Sequence, residues 1–283
     1  MIDFSTANKA APTSERSTWG KRLLSMHTWM VYIFLYAPIM VLVLFSFTQD
    51  AFGVRWTGFT LKWYARLFAD ERMMNAALNT LWVALIATII STVFGTLMAL
   101  AMERYRFKGR AGLDALLYLP IVIPEIVMAL ALLAFFSFSF GLIDQLFGIK
   151  FRMNIWTVIF SHVAFCLSFV VVVVRASLKG FDIRLEEAAS DLGADARTTF
   201  WRVTLPLIMP GVIGGALLAF TLSLDDFIIS FFTVGPGTNL LPVEVYGRVK
   251  RAVTPQINAI STIMLIISML LVFLSQFVQR RRD

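Results

Sequence analysis

Three carboxylates stand inside stretches of sequence that are otherwise almost wholly apolar: Glu125, and the neighbouring pair Asp225 and Asp226. A carboxylate at the centre of a lipid-embedded helix costs about 2.5–3.5 kcal/mol on insertion scales, so an acid in such a run is a functional hypothesis from the outset. The plainer alternative is a polar end of a span, where that cost shrinks. A cavity lined by carboxylates selects cations. Phe227, Phe231 and Phe232 follow the second pair of acids and would add cation–π contacts of roughly 0.5–2 kcal/mol each, or else serve as ordinary core or lipid-facing residues. His162, beside Ser161, lies in another apolar run; an interhelical hydrogen bond and a proton or substrate role are its two readings. Cys166, one turn further on, reads as a small packed hydrophobe.

A second kind of chemistry sits between apolar runs. From Leu185 to Pro210 the chain reads Leu-Glu-Glu-Ala-Ala-Ser-Asp-Leu-Gly, Ala-Asp-Ala-Arg-Thr-Thr-Phe-Trp-Arg, Val-Thr-Leu-Pro-Leu-Ile-Met-Pro. Glu186, Glu187, Asp191 and Asp195 keep this island in water, while Ala188, Ala189 and Gly193 let a short helix lie against a partner and turn at the glycine. Asp182 is the expected N-cap. A helix of about ten residues is marginal alone and needs a docking surface.

The elements that must position these residues are membrane spans. Of 283 residues 58% are hydrophobic and 15% charged, with a mean hydropathy of +0.77; a soluble domain carries nearer a quarter charged residues, so this is an all-α integral membrane protein. Apolar runs at 29–48, 76–101, 113–137, 155–175, 207–232 and 256–278 predict six transmembrane helices. Residues 1–28 read as a cytoplasmic N-terminal tail, 29–278 as the transmembrane domain with a polar loop at 176–206, and 279–283 as a cytoplasmic C-terminal tail. The first apolar run lacks a cleavage pattern and reads as a retained helix. With spans three and five starting near Leu113 and Gly211, Glu125 and Asp225 would lie ~18 Å and ~21 Å from the inner boundary and share one cavity.

The net charge of +7 does not mark a nucleic-acid binder, because Lys and Arg are spread through short loops. Sixteen of the 25 fall in the N-terminal tail, the loops at 103–112 and 175–206, and the C-terminus, which puts both termini in the cytoplasm. Glu103–Arg110 and Arg280-Arg281-Arg282 are the compact basic clusters. On the other side, 49–75 carries Trp56, Trp63, Tyr64 and Phe68, read either as a short amphipathic interfacial segment or as an aromatic belt. Leu119-Pro120-Ile-Val-Ile-Pro124 and Leu205-Pro206-Leu-Ile-Met-Pro210 share one pattern, in which proline bends or restarts a helix, or merely opens two unrelated ones.

Glu187-Ala188-Ala189, then Gly193, then Val203-Thr204-Leu205-Pro206 resembles the EAA signature of inner-membrane subunits of ABC importers, with Val203 where Ile is usual. Leu119–Ala129, Thr221–Phe227, and Val234-Gly-Pro-Gly followed by Leu241-Pro242 resemble the spermidine/putrescine permease family, in its second, C-type subunit. The resemblance covers essentially residues 29–278.

It implies a type I ABC importer permease fold in a bacterial inner membrane and a polyamine cargo. The implied partners are a homologous second permease, two cytoplasmic ATPase subunits and an extracytoplasmic polyamine-binding protein. Residues Glu186, Glu187, Ala188, Ala189, Asp191, Gly193, Leu205 and Pro206 would then form the coupling surface for an ATPase, and Glu125, Asp225 and Asp226 would line the substrate pathway. The sequence has no Gly-x-x-x-x-Gly-Lys-Ser/Thr phosphate loop, so ATP and Mg belong to a partner and the chain itself is expected to be neither enzyme nor cofactor binder. The rivals are the same kind of permease for a different small solute, and a membrane enzyme or sensor, for which no nucleophile–base or metal-ligand pattern is present.

Overall fold

The computed structural model describes residues 18–280 apart from 54; the expectations for residues 1–17 and for Arg281 and Arg282 lie outside the described residues. The helices are α1 (Thr18–Phe45), α2 (Lys62–Phe68), α3 (Glu71–Arg104), α4 (Arg110–Val122), α5 (Glu125–Phe147), α6 (Ile155–Lys179), α7 (Arg184–Asp191), α8 (Ala196–Thr199), α9 (Leu205–Asp225), α10 (Ile228–Thr233), α11 (Leu241–Val249) and α12 (Pro255–Arg280), with one π-helical turn at Phe200–Thr204 between α8 and α9. Six stretches are long and apolar enough to cross a membrane: Trp19–Phe45, Glu71–Arg104, Glu125–Phe147, Ile155–Lys179, Ala196–Asp225 and Pro255–Leu274. The six-span, all-helical expectation therefore holds among the described residues.

Three boundaries differ from the sequence reading. α1 begins at Thr18, inside the stretch read as tail, because Trp19 to His27 contains no proline and its one glycine, Gly20, falls in the first turn. The expected third span is two helices: Ile123 has extended backbone and Pro124 caps α5, since proline removes a donor and disfavours helix at the residue before it. Glu125 is thus the first residue of a helix and does not lie partway along one. The fifth span ends at Asp225, and after a break at Asp226 and Phe227 the chain resumes as α10.

α3, α6 and α9 pack as the central bundle. Its core holds Ala99, Met102, Cys166, Val170, Ile208 and Ala219. In lipid, helices associate through close backbone approach rather than hydrophobic drive, so small residues decide where they touch. Two glycines show this: a Cβ at Gly95 would lie 2.7 Å from Val170 Cγ1, and one at Gly211 2.4 Å from Ser177 Cβ. α12 lies along α9, α5 along α10 and α1 along α12.

The segment at 49–75 contains α2, a short helix with Trp63 and Leu67 buried on one face and Phe68 exposed. The Trp63 indole donates to Thr48 O at 2.7 Å. Ion pairs close both ends of the bundle. At one end Arg175 meets Asp114 at 2.6 Å and Glu103 at 3.5 Å, joining α6, α4 and α3. At the other, Asp70 caps α3 by accepting from Met73 N and also accepts from Arg248 at 2.6 Å and Gln256 at 3.2 Å. Glu244 in turn accepts from Arg248 and Arg72, each at 3.0 Å.

Candidate functional sites: an acidic break and a polar loop

The break after α9 is built around Asp226. Its Oδ1 accepts from Ile229 N at 3.1 Å and its Oδ2 from Ser230 N at 3.2 Å, so the side chain caps the first turn of α10. His162 of α6 places Nε2 2.9 Å from the same carboxylate and 3.1 Å from Ser230 Oγ, and Nδ1 2.7 Å from Ser223 Oγ. The interhelical hydrogen bonds read for His162 are present, to both α9 and α10. Cys166 is fully buried, as expected for a packed thiol.

Glu125, half-buried at the start of α5, lies near Asp226. Asp225 points elsewhere: it is exposed and accepts a hydrogen bond from Ser268 of α12 at 3.0 Å. The structure therefore brings Glu125 and Asp226 together and separates Asp225 from both, because residues on either side of a helix break leave in different directions.

Aromatic rings adjoin the acids. Phe227 lies tilted against Tyr246 with centroids 4.5 Å apart and meets Phe231 at 5.4 Å. Phe231 is exposed while Phe232 leans into the core. Tyr246, the member that sequence reasoning missed, comes from α11, and only the packing of α11 against α10 brings it near.

The polar loop folds as read, with refinements. Asp182 accepts from Arg184 N at 3.0 Å and so caps α7 from one position before the N-cap, which is Ile183. α7 ends where Gly193 takes φ +86°, a left-handed conformation, with Gly193 N donating to Ser190 O at 2.9 Å and Ala194 N to Ala189 O at 3.0 Å. Asp195 caps the next helix, accepting from Thr198 N at 2.9 Å. The Leu205-Pro206 step does not interrupt the helix. Leu205 N reaches back to Phe200 O, so the π turn changes register where Pro206, lacking an N–H, can start α9.

No residue of α7 is buried, and Leu192 is 90% exposed. An apolar groove runs between Leu185, Ala188, Ala189 and Leu192 on one side and Val203 and Pro206 on the other. Glu187, Asp191 and Gly193 are exposed beside it. Glu186 alone among the acids of α7 turns inward, to Arg104 and Thr204.

Six spans thus surround a three-helix core, with an exposed apolar groove on the polar loop and acids at a helix break. The chain belongs to the family of binding-protein-dependent transport system inner membrane components, whose model matches residues 91–283. It is 42% identical over 250 residues to the spermidine/putrescine transport system permease protein PotC of Escherichia coli, covering 88% of this chain and 91% of that one. It is 38% identical over 251 residues to the putrescine transport system permease protein PotI of the same organism, covering 88% and 86%. The fold is similar to that in the crystal structure of a bacterial alginate ABC transporter in complex with an alginate pentasaccharide-bound periplasmic protein, with a TM-score of 0.69 and 20% identity over 93% of this chain and 94% of that one.

Proposed function

We propose that this chain is the C-type permease subunit of an ATP-driven polyamine importer and forms half of its translocation pathway. The observation that carries the reading is the 42% identity to a spermidine/putrescine permease across 88% of the chain. The chemistry agrees with it: a polyamine is a flexible polycation, Glu125 and Asp225 present carboxylates that are not enclosed by the bundle, and Phe227, Phe231 and Tyr246 cluster just after the acidic break. Asp226 supports these groups from within, holding α10 in place and lying near Glu125.

The working assembly contains a homologous second permease, two cytoplasmic ATPase subunits and an extracytoplasmic polyamine-binding protein; the periplasmic protein bound in the alginate transporter structure supports the last of these. Both termini are cytoplasmic, by the distribution of Lys and Arg. The loop at 176–206 then faces the ATPases. Glu187, Ala188, Ala189, Asp191, Gly193 and the Leu205-Pro206 step offer them the exposed helix and groove, and Glu186 sits behind that surface. This chain hydrolyses nothing itself. ATP binding closes the ATPases, α7 moves with them, and the permeases open their shared cavity outward to receive the cation.

Purifying the chain with its co-assembling subunits and measuring ATP hydrolysis in liposomes tests the reading. Stimulation by the spermidine- or putrescine-loaded binding protein is the expected result. Hydrolysis indifferent to polyamine but stimulated by an uncharged solute with its own binding protein would assign the same machine to another cargo.

A further inference from the structure

We propose that Glu186 is a positioning residue, a latch that ties α7 to the membrane-embedded helices, rather than a contact for an ATPase. The proposal rests on the coupling role given to the loop above. One carboxylate oxygen, Glu186 Oε1, accepts hydrogen bonds from the Arg104 guanidinium and the Thr204 hydroxyl. Three segments meet at that atom: the last residue of α3, the first turn of α7, and the end of the π turn that leads into α9.

Burial separates Glu186 from its neighbours. Its side chain is 15% exposed and Thr204 is fully enclosed, whereas Glu187 beside it is exposed. No apolar side chain of α7 is buried, so hydrophobic packing holds the helix only loosely. Among the described residues, every hydrogen bond from an α7 side chain to another element passes through Glu186. The charges also suit their positions, a cation at the C-terminus of α3 and an anion in the first turn of α7, each favoured by the helix dipole.

The mechanical consequence follows from connectivity. From the π turn that ends at Thr204, α9 continues through Leu205–Asp225 to the acidic break, and α3 lies against both α6 and α9. A push on α7 reaches these helices through a charge-assisted bond at their ends, which is stiffer than the glycine turn at Gly193 through which the backbone alone would carry it. π turns recur at functional sites; this one brings the Thr204 hydroxyl to Glu186.

The test uses the whole complex in lipid nanodiscs and in liposomes. Spin labels on cysteines introduced at Ser190 and Lys108 report the distance from α7 to the end of α3. A narrow distribution is expected in the parent, a broadened one in Glu186→Ala and Arg104→Ala, and no change in Glu187→Ala. In liposomes, polyamine taken up per ATP hydrolysed should fall by about tenfold in Glu186→Ala, with ATPase subunits retained at the parent level, and Arg104→Ala/Glu186→Ala should be no worse than Glu186→Ala alone. Glu186→Gln, which keeps an acceptor for Thr204 but loses the ion pair, should fall between and serves where the alanine variant folds poorly. Unchanged distances in Glu186→Ala and Glu186→Gln, or loss of ATPase subunits from either, would overturn the latch. If the distances broaden as expected while the parent itself binds no ATPase, the latch stands and the coupling role fails.

Discussion

The His162 imidazole lies 2.9 Å from the Asp226 carboxylate, with the two side chains 3% and 2% exposed. This pair, together with the two backbone N–H groups that Asp226 accepts, turns an acid that reads from sequence as a cargo site into the structural pin of the α9–α10 break. Glu125 and Asp225, which are less enclosed, are the acids proposed to meet a cation.

Removing the imidazole should therefore act on folding first. His162→Ala leaves Asp226 enclosed without its counterpart and Ser223 and Ser230 without theirs, a loss of about 3 kcal/mol. We expect a lowered thermal midpoint in detergent and reduced abundance in the membrane. His162→Gln, which keeps a donor and an acceptor, should recover part of both.

The three acids should separate in uptake assays. Glu125→Gln and Asp225→Asn are expected to lower polyamine uptake by about tenfold each at unchanged abundance. Asp226→Asn should lower abundance as well. Uptake normalised to the amount of protein in the membrane distinguishes the two patterns.

Gly193 holds φ +86° with open space around the position of a Cβ, so backbone strain and not crowding decides what it tolerates. Gly193→Asn should support uptake near the parent level, and Gly193→Val should lose about 1–2 kcal/mol of loop stability and with it ATPase retention. Co-purification of the ATPase subunits reads the difference.

The clamp at the other end of α3 should be sensitive to acid. The Arg248 hydrogen bond holds the Asp70 carboxyl below its ordinary value of 3.8. A depressed folded-state value means stability that is fully present above the unfolded pKa and lost as pH falls through the folded one. The thermal midpoint of the parent should drop more steeply between pH 5 and pH 3 than that of Asp70→Asn, which lacks the titrating group.

Much of this was legible in the sequence because lipid leaves the chain few options. Six long apolar runs had to be helices, and the charged stretch from Leu185 to Pro210 had to lie outside them. Gly193 announced its turn. Less legible was anything decided by two elements meeting. Pro124 and Pro210 close the same local pattern, yet one separates two helices and the other lies inside α9. Asp225 and Asp226 are adjacent, yet the α9–α10 break sends one to Ser268 and the other to His162. Glu186 and Glu187 look alike until Arg104 and Thr204 are placed beside one of them. Tyr246 and the Asp70–Arg248 clamp join residues far apart in the chain, and no periodicity marks such pairs.

The most direct test of the account is transport itself. The complete complex, with its binding protein enclosed or added on the extracytoplasmic face of liposomes, is given labelled spermidine, labelled putrescine and an uncharged solute of similar length, with ATP supplied to the face that carries residues 176–206. The account requires ATP-dependent accumulation of a polyamine, no accumulation of the uncharged solute, and loss of uptake in Glu125→Gln. Accumulation of the uncharged solute without either polyamine, or polyamine uptake that is indifferent to ATP, would contradict it.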